Sequence, residues 1–258
     1  MYKLLLIGNG NFGKNYVSTL ANFNDVSLEI ANRNNWKKLI DKKPDGVLVV
    51  TPPSSHIEIA SYALSKDIPT MIEKPLSLSI KEAEILKQYT APILVNHIHL
   101  FSDSYQYIKQ NIKNITSIKS VGHGCNSHND CPILWDYGPH DIAMVLDLAQ
   151  QYPKSIHCSE VLGFSGLFDI KLEFEGFTSD SSIGQSTFKN RSIVVNNYNN
   201  TYYNTVTKEE PLTNALRVFI GAINGNSDYR LGLELSLNVM RVLEKCQEIL
   251  NNNTFIQD

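Results

Sequence analysis

A chain of 258 residues can bury one large core or two modest ones, and α/β chains of this size often divide in two. Apolar residues make up 42% and charged ones 19%, an ordinary globular balance, and no apolar run is long enough to span a bilayer. The net charge of −3 argues against a nucleic acid or an anionic membrane as the main partner. Met1-Tyr2-Lys3 leads straight into an apolar strand, too soon for a signal peptide. The four cysteines, Cys125, Cys131, Cys158 and Cys246, form no close-spaced framework, so free thiols in a reducing cytoplasm are expected.

The first strand is expected from Lys3 to Ile7, followed by Gly8-Asn9-Gly10-Asn11-Phe12-Gly13 and an amphipathic helix to about Phe23. This is a G-x-G-x-x-G turn between strand and helix. Its first glycine permits the sharp turn, the second lets backbone N–H groups approach a pyrophosphate, and the third lets the helix pack on the sheet. Val26 to Ala31 reads as a second strand. At its end an acidic residue would hold a ribose hydroxyl and favour NAD; the chain has Asn32-Arg33-Asn34 instead. Arg33 either pairs with a 2′-phosphate, favouring NADP, or is a solvated loop residue. Only Asn35 to Asp45 separates this strand from the next, Gly46 to Thr51, so the adenosine half looks trimmed. Ser54 or Ser55 would cap a helix from about His56 to Lys66. A strand from Pro69 to Glu73, a helix from Ser79 to Tyr89 opening on a Ser79–Glu82 capping box, and a strand from Ile93 to Val95 complete an alternating pattern that implies a parallel sheet.

After about Leu100 the texture changes. A helix from Ser104 to Ile112, a strand from Ile115 to Gly124, a polar loop from Cys125 to Leu134 and a helix from Pro139 to Gln150 are expected, with Pro139 at a first helical position. Short β-branched and aromatic segments from Ser155 to Val206 suggest an antiparallel or mixed sheet with one wet face. Helices from Leu212 to Ile223 and Tyr229 to Leu250 close the chain, the last with a core stripe of Leu231, Leu235, Val239, Val242, Cys246 and Ile249.

Two stretches carry candidate chemistry. Lys74, in Glu73-Lys74-Pro75, ends a strand on the edge that holds the glycine turn, where parallel sheets bind ligands. It can neutralise a developing alkoxide, or it is an ordinary surface lysine. Asp136 and His140, four residues apart around a helix start, can face one pocket, with His140 as proton carrier; alternatively Asp136 caps a helix beside a structural histidine. His123, Cys125, His128, Cys131 and His140 invite a metal reading, but their spacing matches no compact zinc pattern, and no metal is expected.

In order along the chain, the glycine turn, Thr51-Pro52-Pro53-Ser54-Ser55-His56, Glu73-Lys74-Pro75 and Asp136-Tyr137-Gly138-Pro139-His140-Asp141 resemble the Gfo/Idh/MocA oxidoreductase family. The resemblance implies a Rossmann domain over residues 1–100 and, over residues 101–258, an α+β domain on an open, mostly antiparallel sheet that binds substrate and makes dimers or tetramers. It implies Lys74, Asp136 and His140 as catalytic residues. Gly8 to Gly13, Asn32, Arg33, Thr51, Pro52, His56, Glu73 and Lys74 would hold NADP or NAD, with NADP slightly favoured. Asn96 and Trp135 would join Lys74, Asp136 and His140 around a sugar-like substrate. His99 stands near a place where the family often has arginine. The expected activity is hydride transfer between the nicotinamide and a hydroxyl or keto carbon of a sugar, polyol or nucleotide-sugar. The alternative is a non-catalytic NAD(P)-binding sensor of the same fold.

Overall fold

The apolar runs of the N-terminal half form five strands: Tyr2–Ile7 (β1), Val26–Ala31 (β2), Gly46–Val49 (β3), Thr70–Glu73 (β4) and Ile93–Asn96 (β5). The last three and most of β1 are buried along their whole length, as expected of strands covered on both faces. In this computed structural model, which describes residues 1–125, 131–196 and 210–254, they make a wholly parallel sheet in the order β2-β1-β3-β4-β5. Its register pairs Ile7 with Val49, Val49 with Ile72, and Glu73 with Asn96, so the carboxyl ends of four strands line one edge.

The connecting helices are Asn11–Leu20 (α1), Trp36–Ile40 (α2), His56–Leu64 (α3) and Ile80–Ala83 (α4). Three details differ from expectation. Helix α1 stops at Leu20, because Asn22 and Phe23 donate to carbonyls three residues back and tighten the chain into a turn. Residues 35–45 contain α2, too short to show a helical period. The helix expected to Tyr89 breaks after α4 into a 3-10 segment, Glu84–Gln88. Only half of its capping box forms: Ser79 Oγ accepts from the Glu82 N–H at 3.4 Å, while the Glu82 carboxylate accepts from Ser77 Oγ instead.

The chain divides into two compact units, residues 1–98 with 209–237, and residues 99–208 with 238–258. The first therefore includes Pro211–Ile223 (the seventh α-helix, after Asp103–Asn111, α5, and Ile133–Ala149, α6). In this α7, Phe219 is fully buried against Gly46 at the start of β3. Gly232 donates its N–H to the Ile93 carbonyl, so the chain runs briefly beside β5.

The second unit is built on Ser117–Gly124 (β6), Ser155–Glu160 (β7), Leu167–Glu173 (β8), Thr178–Gln185 (β9) and Asn190–Val195 (β10). The order is β10-β6-β9-β8-β7, with β6 and β9 parallel and every other pair antiparallel. One face carries α6. The other is wet: exposed Asp180 has Lys119 and Lys171 as its cross-strand neighbours. Helix α6 begins at Ile133, so Pro139 lies inside it and not at its first position. Every residue from Leu134 to Leu148 is buried except His140, which leaves no polar face from which the helix start could be read. Asp141 anchors α6 to the sheet. It is fully buried, and Arg191 of β10 donates to its Oδ2 at 2.8 Å. Burial raises its pKa and the guanidinium opposes the rise. The last helix, Glu234–Thr254 (α8), starts later than expected; its buried residues include Val239, Val242 and Cys246 of the expected stripe, with Leu237, Met240 and Leu243 beside them.

Two stability outcomes follow. Phe219→Ala should cost the first unit about 3–5 kcal/mol, read by urea unfolding with Trp36 as the only tryptophan in a Trp135→Phe background. A loss below about 1 kcal/mol would contradict the packing of α7. Arg191→Ala leaves a buried carboxylate alone and should cost about 3–5 kcal/mol at neutral pH. The native carboxyl then holds its proton more tightly than the unfolded one, so the loss should shrink as pH falls through the raised native pKa. A loss independent of pH between neutrality and acid would contradict this ion-pair account.

Candidate active site

The glycine turn occupies the carboxyl end of β1. Gly8 has φ +104°, and a Cβ there would collide with the Val50 carbonyl of the neighbouring strand's end. A Cβ on Gly13 would collide with the Gly8 carbonyl, so the third glycine lets α1 close down on the turn. Gly10 is different: a Cβ there would meet nothing within 4 Å. Gly10 is also the N-cap of α1, and no side chain caps that end. The first N–H groups of this ten-residue helix therefore have no capping side chain, and they carry the positive end of the helix dipole. Asn9, Asn11 and Phe12 are exposed around it. This is a fit for a pyrophosphate.

Beside it, at the ends of β4 and β5, lies a buried polar cluster. Tyr16 of α1 donates to Glu73 Oε1; Asn96 Nδ2 lies 2.7 Å from the same oxygen and 2.8 Å from the Tyr16 hydroxyl. Burial raises the pKa of Glu73, and burial with the nearby carboxylate raises that of Tyr16. Glu73 Oε2 accepts from the Lys74 N–H at 3.2 Å. The other side of Lys74 is held through its neighbour: His56 Nδ1 lies 3.0 Å from the Pro75 carbonyl, and Nε2 lies 2.7 Å from the Thr51 carbonyl. His56 is 1% exposed, and burial pulls its pKa down against the backbone carbonyls around it. Lys74 itself is half-buried. Ser55 is the N-cap residue of α3, yet its hydroxyl bonds Thr51 Oγ1 and the Pro52 carbonyl, bracing the loop after β3 in place of capping the helix. Asn96, expected near substrate, has no solvent exposure in this structure.

At the adenosine end, Asn32 and Arg33 are exposed beyond β2, the edge strand. The Asn32 side chain accepts from the Asn34 N–H at 2.9 Å and Asn35 Oδ1 accepts from the Asn32 N–H at 2.7 Å, which shapes a tight polar turn with Arg33 on it.

In the second unit, Trp135, Asp136 and His140 all ride on α6. Asp136 is in its first turn and His140 one turn on, so the two share a face. Because α6 starts at Ile133 and not near Pro139, His140 lies beyond the reach of its N-terminal dipole. His99 packs its ring edge-on to His140 with centroids 4.7 Å apart. The structure thus gathers the glycine turn, Thr51, His56, Glu73, Lys74 and Asn96 at one sheet edge, and Trp135, Asp136 and His140 on one helix. Tyr16 reads in the sequence as one more core residue of α1; the available signal was that a buried tyrosine hydroxyl needs a partner. Among the described residues no three His, Cys, Asp or Glu side chains are placed to hold a metal ion; His128 lies outside them. Among the same residues no helix is long and apolar enough to cross a membrane.

Residues 23–92 match the model of an oxidoreductase family with an NAD-binding Rossmann fold, GFO_IDH_MocA. The chain is 27% identical over 110 residues to UDP-N-acetylglucosamine 3-dehydrogenase of Acidithiobacillus ferrooxidans, a match spanning 40% of this chain and 32% of that one. Among solved structures, a provisionally assigned oxidoreductase from Magnetospirillum magnetotacticum MS-1 superposes with a TM-score of 0.83 at 27% identity, covering 95% of this chain and 99% of that one. Scyllo-inositol dehydrogenase of Lactobacillus casei, solved with NAD(H) and scyllo-inositol, shares the fold at 16% identity and a TM-score of 0.83, with 98% of each chain covered. A family match on residues 23–92 and a shared fold along nearly the whole chain join the ordered motifs at the strand ends and on α6 as likenesses to the Gfo/Idh/MocA oxidoreductases.

Proposed function

We propose that the protein is an NAD(P)-dependent dehydrogenase of CH–OH groups on a sugar, polyol or nucleotide-sugar. The observation that carries this reading is the uncapped N-terminus of α1 behind Gly10, with Lys74 held at the end of β4, two strands over on the same sheet edge. The dehydrogenases of inositol and of UDP-N-acetylglucosamine that share the fold support the substrate class. The nicotinamide, when bound, supplies a hydride acceptor or donor. The residues of the chain do the rest. The Lys74 ammonium stabilises negative charge on the substrate oxygen. His140, the one unburied residue on its stretch of α6, takes or gives the hydroxyl proton, and Asp136 on the same face orients His140 or the substrate. Arg33 pairs with a 2′-phosphate and tips the preference slightly to NADP. Residues 1–100 serve the cofactor; residues 101–258 supply substrate contacts and the surface of a homodimer or homotetramer working in the cytoplasm.

Fluorescence titration with NADPH and NADH should show saturable binding of at least one, with NADPH the tighter. Arg33→Ala should remove that preference and leave NADH binding unchanged; an unchanged preference would end the role given to Arg33. In a screen of sugars, polyols and nucleotide-sugars, His140→Ala should lower the turnover rate by about 10²–10⁴ and spare cofactor binding. Full turnover in that variant would remove His140 from the chemistry. Cofactor binding without turnover on any CH–OH substrate would favour the sensor reading.

A further inference from the structure

The resemblance gave His56 and Glu73 as residues lining the dinucleotide, and their geometry gives them another task. Both are buried, at 1% and 6% exposure, and both spend their polar atoms on the protein itself. Glu73 Oε1 takes the Tyr16 hydroxyl and the Asn96 amide, and Oε2 takes the Lys74 N–H. The two nitrogens of His56 face two carbonyl oxygens, of Thr51 and Pro75. We infer that His56 and Glu73 are positioning residues that grip the backbone on either side of Lys74 and so fix where its ammonium stands, without themselves touching cofactor or substrate. The inference rests on the proposed role of Lys74, and its physical content is independent of that role.

A lysine side chain has four rotatable bonds, so its ammonium is aimed only as well as its Cα is held. Strand β4 ends at Glu73, and the ladder to β5 stops at the Glu73–Asn96 pair. Beyond that point regular backbone pairing no longer fixes the chain. The Glu73 carboxylate takes over on the N-terminal side of Lys74, and the His56 imidazole on the C-terminal side. Each grip is itself anchored elsewhere: Glu73 by α1 and β5 through Tyr16 and Asn96, and His56 by the end of β3 through Thr51. Three strand ends and two helices, α1 and α3, are thereby tied to one lysine. The carbonyls of Thr51 and Pro75 only accept, so the ring bridges them by N–H donation; a neutral ring donates to one, and a protonated ring to both. Asn96 also leaves its Oδ1 buried with no hydrogen bond, so a flip of its amide would let a neutral amide replace the Glu73 carboxylate.

The test reads Lys74 directly. Reductive ¹³C-methylation labels every lysine, and the Lys74 signal is assigned by its loss in Lys74→Arg. In the native protein this signal should stand apart from those of exposed lysines. His56→Ala and Glu73→Ala should move it toward them and broaden it, while the remaining lysine signals stay in place and report an intact fold. The conservative variants Glu73→Gln and His56→Gln, which retain an acceptor for Lys74 N–H and a donor for Pro75 O, should restore its position. Once a substrate is in hand, the alanine variants should lower kcat at least tenfold and leave the affinity for NADH or NADPH within about twofold. A Lys74 signal unmoved in a folded His56→Ala protein would overturn the inference for His56, and the same result in Glu73→Ala would overturn it for Glu73. Loss of cofactor affinity in the Gln variants with an unmoved Lys74 signal would return both residues to the cofactor's wall. A native protein that binds no dinucleotide, yet shows the shifts, would sink the proposed function and leave the grip standing.

Discussion

Two backbone approaches that leave no room for a Cβ hold the first unit's working edge together. Gly8 lies against the Val50 carbonyl, and Gly13 against the Gly8 carbonyl. The first approach seats the turn on the end of β3; the second brings the start of α1 down onto the turn. Together they aim the uncapped helix end along the edge where β3, β4 and β5 also finish. Any side chain at either position would push the helix away, and the dipole's effect fades within a turn. The proposed anion site would thus be a consequence of chain packing, built without a charged side chain.

Along the same edge the fold spends buried polar groups on geometry. Tyr16, Glu73, Asn96 and His56 are each removed from water, and a buried polar group is costly unless its partners are in place. Here the partners come from α1, β5 and the ends of β3 and β4, so the cluster's hydrogen bonds form only when those elements are in register. The second unit uses the same device once more. Asp141 follows His140 on α6 and is pinned to β10 by Arg191, which fixes the rotation of a helix that is otherwise buried almost all round.

Much of this was legible in the sequence. Parallel strands under near-continuous apolar runs, the glycine turn and the change of texture after Leu100 all follow from period and residue type. What was not legible has physical reasons. The start of α6 is hidden because Leu134 to Leu148 is buried on every side but at His140, and a helix without a polar face shows no period. Pro139 suggested a start because proline suits a first turn, whereas here neighbouring packing holds it in the interior. The five residues of α2 are too few for a pattern. The capping box was half right, since Ser77, two residues before the cap, competes for Glu82. At the site, the strand-end position points to Lys74 and the family resemblance to His56 and Glu73, yet the partnership of Tyr16 with Glu73 spans 57 positions and leaves no local trace. The return of residues 209–237 to the first unit is likewise a property of tertiary packing, visible only once Phe219 is seen against Gly46.

The central claim is that the N-terminus of α1 is a pyrophosphate site kept open at Gly10. The most direct measurement is the affinity of Gly10→Val for NADH and NADPH, set beside its melting temperature. Gly10 has φ −75°, a conformation open to any L-residue, and its side-chain direction is empty, so the variant should fold and melt as the native protein does. The account predicts that it loses dinucleotide binding by at least a hundredfold, because the added methyl groups stand where phosphate oxygens must approach. Native affinity in a natively stable Gly10→Val protein would contradict it.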